Sequence, residues 1–175
     1  MRTRVATIDD LPAMRLVMQR AIEELQNQFL SAEQVAASHA VMGVDTQLVI
    51  DGTYFVVEAD GGIAGCGGWS RRATLYGGDH SGDLRDPRLL DPHREAARIR
   101  AMYTHPAFVR RGVGRLILDA SEAAARAEGF RSAELMATLA GEPLYHACGY
   151  RILGRSSAKA GSVTVPLILM GKHLS

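Results

Sequence analysis

The chain has 175 residues, 47% of them hydrophobic and 22% charged, and its formal net charge is +1 at pH 7. This length and apolar content suit one packed core, so we expect a single domain over residues 1–175. Because the net charge is near zero, nucleic acid and anionic membrane surfaces are excluded as general partners, and any anion must be recognised locally.

The sequence predicts neither a membrane span nor a secretory leader. Its first residues lack an apolar segment, and no apolar run approaches the ~20 residues that a spanning helix needs. Cys66 and Cys148 provide no disulfide framework, and we expect both to behave as small buried hydrophobic residues. These features favour a cytoplasmic enzyme or binding module.

The N-terminal region predicts one strand and two helices. The alternating stretch RTRVATI, residues 2–8, predicts the strand. A helix with Pro12 in its first turn follows, with apolar residues at helical spacing. These residues are Leu11, Met14, Met18, Ile22 and Leu25. Ser31 with Gln34 forms a capping-box pattern that opens the second helix.

The next region predicts a hairpin and a long loop. Residues 53–69 contain two apolar runs around Asp60-Gly61, a favoured two-residue turn. The second run carries three glycines, Gly65, Gly67 and Gly68. Glycine weakens a strand unless another backbone or a ligand approaches closely, and both explanations remain open. Residues 71–96 are polar, with Gly and Pro, and predict a loop long enough to serve a function.

A strand–loop–helix–strand unit occupies the centre of the chain. The strands are predicted over residues 97–104 and 132–138, and the helix over residues 115–128 with Gly129 beyond its end. Such a unit makes the two strands parallel, with a right-handed crossover. The helix therefore begins at the carboxyl end of the first strand.

The C-terminal region predicts a short helix and two closing strands. Residues 141–150 form the helix, and residues 150–153 and 162–171 form the strands. Pro166 cannot donate to a neighbouring strand, so its strand is expected to be an edge strand or to carry a bulge. An apolar edge strand is a liability unless it is covered, so we hypothesise a homodimer that covers it.

The turn VRRGVGR, residues 109–115, has the composition of an anion site. Free backbone N–H groups at the helix start favour a phosphate, and Gly112 and Gly114 allow close approach. Three arginines add positive charge there, Arg110, Arg111 and Arg115. The dinucleotide-binding fingerprint fails, because Ile117 stands where its third glycine belongs.

Two segments resemble the Gcn5-related N-acetyltransferases, the GNAT family. MYTHPAFVRRGVGRLILDASEAAARAEGF, residues 102–130, is similar to the central motif of the family, and GEPLYHACGY resembles its later tyrosine-containing helix. The order of elements fits along nearly the whole chain. The resemblance implies a mixed α/β (α+β) fold with a mostly antiparallel sheet, a central parallel βαβ unit and flanking helices. Two positions depart from the family pattern, with Val109 replacing a common Gln or Arg and Thr138 a frequent Asn.

The resemblance implies that acetyl-CoA is the cosubstrate. Pantetheine would lie along an open strand edge, and the pyrophosphate would lie at the glycine turn. A backbone N–H near Met102 or Tyr103 would stabilise the oxyanion. The expected cofactor-binding residues are Met102, Tyr103, Thr104, Arg110, Arg111, Gly112, Val113, Gly114, Arg115 and Thr138.

Acetyl transfer to an amine needs an acid for the leaving thiolate and an unprotonated amine. Tyr145 is the expected general acid, because a phenol can donate its proton in a site shielded from water. Candidate bases by residue type alone are Glu134, His105, Tyr103, Asp79 and His80. We expect no metal site, since the Asp and His residues in the loop lack ligand spacing.

The acceptor is expected to be a small-molecule or peptide amine. Trp69 is either part of the wall of the acceptor site or a core residue. The alternative function is a module that binds acyl-CoA without turnover, as a sensor or structural partner. Only the changed residues Val109 and Thr138 favour that alternative, whereas Tyr145 favours the enzyme.

Overall fold

The computed structural model describes residues 1–175 as seven strands in one sheet, with five α-helices. The strands are β1 (Arg2–Val5), β2 (Tyr54–Ala59), β3 (Gly62–Ser70), β4 (Ala97–Thr104), β5 (Ser132–Ala137), β6 (Arg151–Ala160) and β7 (Val163–His173). The helices are α1 (Leu11–Leu25), α2 (Ala32–Val41), α3 (Thr46–Ile50), α4 (Val113–Ala127) and α5 (Glu142–Ala147). No helix is both long and apolar enough to cross a bilayer.

The strand order is β1-β2-β3-β4-β5-β7-β6. Every neighbouring pair is antiparallel except β4 and β5, which are parallel and are connected through α4. The predicted mixed sheet with a central parallel βαβ unit is therefore confirmed. Two local sequence patterns are also found as predicted. Asp60 and Gly61 both have positive φ in the β2–β3 turn, and Ser31 and Gln34 exchange capping-box hydrogen bonds at the start of α2.

The two faces of the sheet carry different helices because alternate strand residues point to opposite sides. Val56 on β2 packs with the apolar stripe of α1, whereas its neighbour Val57 packs with Val113 and Ile117 of α4. A Cβ on Gly65 would lie 2.5 Å from Val113 Cγ1. The glycine-rich β3 thus lets α4 approach the sheet closely, which resolves the question that the sequence left open.

The sheet opens between β4 and β5. Their parallel pairing is limited to Ala97 with Ala133 and Arg98 with Glu134. Beyond these pairs, β4 carries a bulge, since Ala101 and Met102 both lie opposite Gly67 and Ala101 has φ of +50°. The two strands splay apart toward their carboxyl ends, and the backbone edge of β4 is left without a strand partner there.

The predicted edge position of residues 162–171 is wrong. β7 lies inside the sheet, between β5 and β6, and β6 continues to Ala160 rather than ending near residue 153. Pro166 is tolerated because it lies past the end of the β5 pairing, which stops at Ile168. With β6 covering β7, the apolar stretch needs no second subunit, and the reason given for a homodimer disappears.

Candidate active site

A cleft of about 810 Å³ runs between the start of α4, the start of α5 and the C-terminal end of α1. We call it the main cleft. Its walls contain the open end of β4, the turn before α4 and the first residues after β5. The central motif and the tyrosine-containing helix, which lie far apart in the sequence, therefore face each other across one cavity.

The turn before α4 has the geometry of an anion site. Arg110 has φ of +60° and Gly112 has φ of +84°, with Arg111 at negative φ between them. Alternation of this kind points successive N–H groups into one concavity. The first helical hydrogen bond runs from Leu116 N–H to Gly112 O, so the N–H groups of residues 113–115 have no partner within the helix. These groups and the dipole of α4 favour a negative ligand.

The arginines of this turn are exposed. Arg111 stacks over Phe108, with its guanidinium carbon 4.9 Å from the ring centroid. Arg115 donates to Ala147 O at 3.4 Å, which connects the start of α4 to the end of α5. Gly114 lets α5 pack closely on the start of α4, because a Cβ there would lie 2.5 Å from Leu144 Cδ2 and would displace that side chain. The charges remain available to a ligand, while the backbone beneath them is fixed by packing.

The open edge of β4 presents alternate backbone groups to the cleft. His105 N–H donates to Ala64 O on β3 at 2.8 Å. Since successive N–H groups along a strand point in opposite directions, the N–H of Tyr103 also faces β3, and those of Met102 and Thr104 face the gap. The Tyr103 side chain lies on the α1 face, where its hydroxyl donates to Gly43 O at 3.2 Å. Of the two expected oxyanion donors, the geometry favours Met102.

Tyr145 lies at the inner end of the main cleft. It is buried against Tyr150, with ring centroids 6.0 Å apart, and it lines the cavity together with Thr138 and Gly141. Burial raises the pKa of its phenol above the ordinary value. Thr138 Oγ1 accepts from Gly141 N–H at 3.1 Å, which fixes the start of α5. The phenol is therefore held in place and remains protonated at neutral pH.

Two residues expected at the site lie elsewhere. Glu134 lies at the closed end of the β4–β5 gap, where it accepts from Arg98 at 3.2 Å, and it lines neither the main cleft nor any wall near Tyr145. Trp69 is only 1% exposed and packs edge-to-face on Phe130, so it is a core residue rather than part of an acceptor wall. Strand residues alternate in direction, and the sequence alone does not say which face adjoins the cavity.

Three other candidate bases, His105, Asp79 and His80, do not line the main cleft. His105 Nδ1 accepts from Ala107 N–H, and its Nε2 lies 3.1 Å from Arg20 Nη1. Asp79 accepts from the backbone N–H and the hydroxyl of Thr46. His80 is exposed and does not line the main cleft. The structure therefore brings Tyr145 to the cleft but none of these groups.

Sequence reasoning missed a buried ion pair behind the cleft. Asp45 and Arg100 are 1% and 3% exposed, and Arg100 Nη2 donates to Asp45 Oδ2 at 2.9 Å. Arg85 donates to the other carboxylate oxygen at 2.8 Å, which fastens the loop of residues 71–96 to the segment before α3. Asp45 lies 40 positions from Arg85 and 55 from Arg100 in the sequence, so no local sequence pattern predicts these ion pairs.

Comparison with known proteins agrees with this geometry. Residues 51–152 match the model of the acetyltransferase (GNAT) domain. A GCN5-related N-acetyltransferase structure from Rhodopseudomonas palustris is 19% identical, with a TM-score of 0.73 over 99% of this chain and 95% of that one. Among curated proteins, no sequence matches significantly.

Two further solved structures hold the cofactor. The PaiA N-acetyltransferase from Thermoplasma acidophilum, in complex with coenzyme A, is 13% identical with a TM-score of 0.64, covering 98% of each chain. The yncA structure from Salmonella typhimurium, with its cofactor acetyl-CoA, is 18% identical with a TM-score of 0.66, covering 100% of this chain and 94% of that one. At these identities the likeness shows the fold, whereas the domain model spans more than half of the sequence. The chain belongs to the GNAT family of acetyltransferases.

Proposed function

We propose that this protein binds acetyl-CoA in the main cleft and transfers the acetyl group to an amine by direct attack. The observation that carries the proposal is that an anion-receptive turn and an open strand edge meet in one cavity with a buried phenol. The coenzyme A and acetyl-CoA present in two similarly folded proteins support this assignment.

The cofactor fits the residues along the cleft. The pyrophosphate would lie at residues 110–115, where free N–H groups, Arg110 and Arg115 line the cleft and Arg111 adds charge from outside it. The pantetheine amides would pair with the edge of β4 at Thr104 and at the Met102 carbonyl, since this edge has no strand partner and the Met102 N–H is left for the oxyanion. Val113 is buried beneath the turn and supports it by packing, while Thr138 borders the inner end.

The chemistry needs no covalent enzyme intermediate. The amine nitrogen attacks the thioester carbonyl carbon, and the N–H of Met102 stabilises the oxyanion that forms. The C–S bond then breaks, Tyr145 gives its proton to the leaving sulfur, and the attacking nitrogen loses a proton that returns through water to the phenolate. The products are the acetylated amine and the free thiol of coenzyme A, so atoms and charge balance.

The raised pKa of Tyr145 does not rule out its role as the acid. Burial raises the pKa of a thiol in the same way, as it does for Cys66, whose pKa is raised to about 12. A thiolate formed beside Tyr145 in a cleft closed by the cofactor is a stronger base than it would be in water. Burial therefore shifts the pKa of the phenol and the pKa of the leaving thiol in the same direction, which favours proton transfer between them.

The test is incubation of the protein with acetyl-CoA and a mixed panel of primary amines, with detection of free thiol and mass spectrometry of the amines. We expect thiol release that depends on both protein and amine, together with an acetylated amine. Tight binding of acetyl-CoA by calorimetry without any acetylated product would support the sensor alternative and reject the enzyme.

A further inference from the structure

A second, smaller cavity opens from the inner end of the main cleft. It measures about 100 Å³, and we call it the inner chamber. It shares six lining residues with the main cleft, namely Met42, Met102, Tyr103, Thr138, Gly141 and Tyr145. Anything placed in the inner chamber therefore lies beside the β4 bulge and the phenol of Tyr145, where the thioester carbonyl is proposed to lie.

The walls of the inner chamber are mostly apolar. Its further lining comes from the end of α2, the loop of residues 71–96 and the middle of the sheet. The apolar members include Val41, Leu75, Ile99, Leu135, Met136 and Leu167. A cavity of about 150 Å³ lined by such side chains holds benzene, so the inner chamber suits a group somewhat smaller, such as a short branched alkyl. The lining of the inner chamber therefore favours binding of an apolar substituent.

Every charged side chain that lines either the main cleft or the inner chamber is an arginine. Arg110 and Arg115 line the outer part of the main cleft, and Arg100 lines the inner chamber. Arg100 is buried, and its partner Asp45 also accepts from Arg85, so this carboxylate is already satisfied by two guanidinium groups. A second ammonium group on an acceptor would lose water here and meet only positive charge.

Two buried polar atoms around these cavities remain without a partner, Arg100 Nε in the wall of the inner chamber and Gln26 Oε1 in the wall of the main cleft. Gln26 is 3% exposed and lines the main cleft, and its Nε2 lies 3.0 Å from Met42 Sδ. Its Oε1 accepts no hydrogen bond. An unpaired buried amide oxygen is costly, and an N–H donor arriving with a ligand removes that cost. Met42 borders both cavities, so the amide lies at their junction.

We propose that the acceptor is a primary amine with one short apolar substituent and no second cationic group. The substituent occupies the inner chamber, and one N–H of the amine donates to Gln26 Oε1 while the nitrogen lone pair attacks the thioester carbonyl. The nitrogen–carbon bond forms first, the carbon–sulfur bond then breaks with Tyr145 protonating the sulfur, and the amine proton returns through water to the phenolate. This substrate class rests on the proposed acetyl transfer.

The first test compares two amines of similar length, 3-methylbutylamine and 1,4-diaminobutane. They differ in whether the far end is a branched alkyl or an ammonium group. We expect kcat/KM for acetyl transfer to favour 3-methylbutylamine at least tenfold. A diamine that reacts as fast or faster overturns the substrate class but leaves acetyl transfer standing, whereas no transfer to any amine removes the proposed function itself.

Two variants test the residues. Leu75→Trp fills the inner chamber and should raise KM for 3-methylbutylamine at least tenfold. Leu89→Trp makes the same change in the same loop at a side chain that is 61% exposed, and it should leave KM unchanged. Melting curves establish that both variants fold.

Leu75→Glu provides a second readout that does not depend on filling the chamber. A carboxylate in the inner chamber should shift the kcat/KM ratio at least tenfold toward the diamine, because it offers the second ammonium a partner where the far end of the acceptor is proposed to lie. A loss of stability alone cannot change that ratio. An unchanged ratio in Leu75→Glu, or equal KM values in the two Trp variants, overturns the proposal.

Discussion

The donor side and the acceptor side of the main cleft are built in opposite ways. The donor side, residues 108–115, is contiguous in the sequence, and its arginines and backbone N–H groups face outward. The acceptor side joins α1, α2 and the loop of residues 71–96, and its strongest charges, Asp45 and Arg100, are buried and paired with each other.

The difference separates two uses of charge. On the donor side, free positive groups are kept available for a ligand, and packing of glycine and apolar residues holds the backbone. On the acceptor side, Asp45 forms ion pairs with Arg85 and Arg100 that hold distant segments together, and the rest of the cavity lining is mostly apolar. Binding on the donor side should therefore depend on the phosphate groups of the ligand, and binding on the acceptor side should depend on the shape of its apolar part.

The largest expected effect comes from breaking the buried pair on the acceptor side. Asp45→Ala leaves Arg100 buried without its partner, so the free energy of unfolding should fall by about 3–5 kcal/mol. Urea denaturation measures the change. The matched control is Glu24→Ala, which removes an exposed pair with Arg20 and should cost no more than about 0.5 kcal/mol. Equal costs would show that burial does not distinguish the two pairs.

The next effect is kinetic and concerns the phenol at the meeting point of the two sides. Tyr145→Phe should lower kcat about a hundredfold, or about 2.7 kcal/mol, while acetyl-CoA affinity changes much less. Stopped assays at saturating acetyl-CoA measure it. Tyr150→Phe is the control: it loses a hydrogen bond to Glu122 and should lower the melting temperature with kcat nearly intact. A near-normal kcat in Tyr145→Phe would remove this residue from the mechanism.

The third effect tests the donor side alone. Gly112→Val forces a β-branched residue into a left-handed conformation, so the turn should lose its shape and coenzyme A should bind at least about tenfold more weakly, or about 1.4 kcal/mol. Calorimetry measures the affinity. Gly161→Val is matched, since Gly161 also has positive φ and open space but lies in the β6–β7 turn. Equal affinity in the two variants would contradict the phosphate assignment.

The smallest effect depends on pH and concerns the attachment of α1 on the acceptor side. Hydrogen bonds from Arg4 lower the pKa of Asp10 to about 2, from an ordinary value near 3.8. The stability that this provides is present above pH 3.8 and is lost as the pH falls toward 2. Asp10→Asn should cost about 1 kcal/mol at pH 6, since the pair is partly exposed, and much less at pH 2.5. Denaturation at both pH values checks this; a constant difference would contradict it.

The same contrast explains what the sequence could predict. The Gly112 turn, the Asp60-Gly61 hairpin and the Ser31 cap depend on neighbours in the chain, and each is found where the pattern placed it. The position of β7 depends instead on which strands pair with β5, and no local pattern encodes that choice.

The predictions of individual site residues show the same difference between local and long-range information. The βαβ unit placed the glycine turn at the start of α4, and the family resemblance assigned Met102 and Thr138 to the cofactor; Gly112, Gly114, Met102 and Thr138 all line the cleft. Glu134 and Trp69 were placed by residue type, and the pleat of the sheet sends them elsewhere. Gln26 gave no signal at all, because its importance comes from being buried beside a cavity formed by distant segments.

The short pairing between β4 and β5 has a thermodynamic consequence. Two residue pairs and α4 connect two half-sheets, so the fold itself leaves a row of backbone amides open to hydrogen exchange. A ligand that bridges the gap acts as a removable eighth strand. At a concentration of 100 Kd such a ligand adds about 2.7 kcal/mol to global stability by mass action, and amides along the splayed ends of β4 and β5 should slow their exchange first.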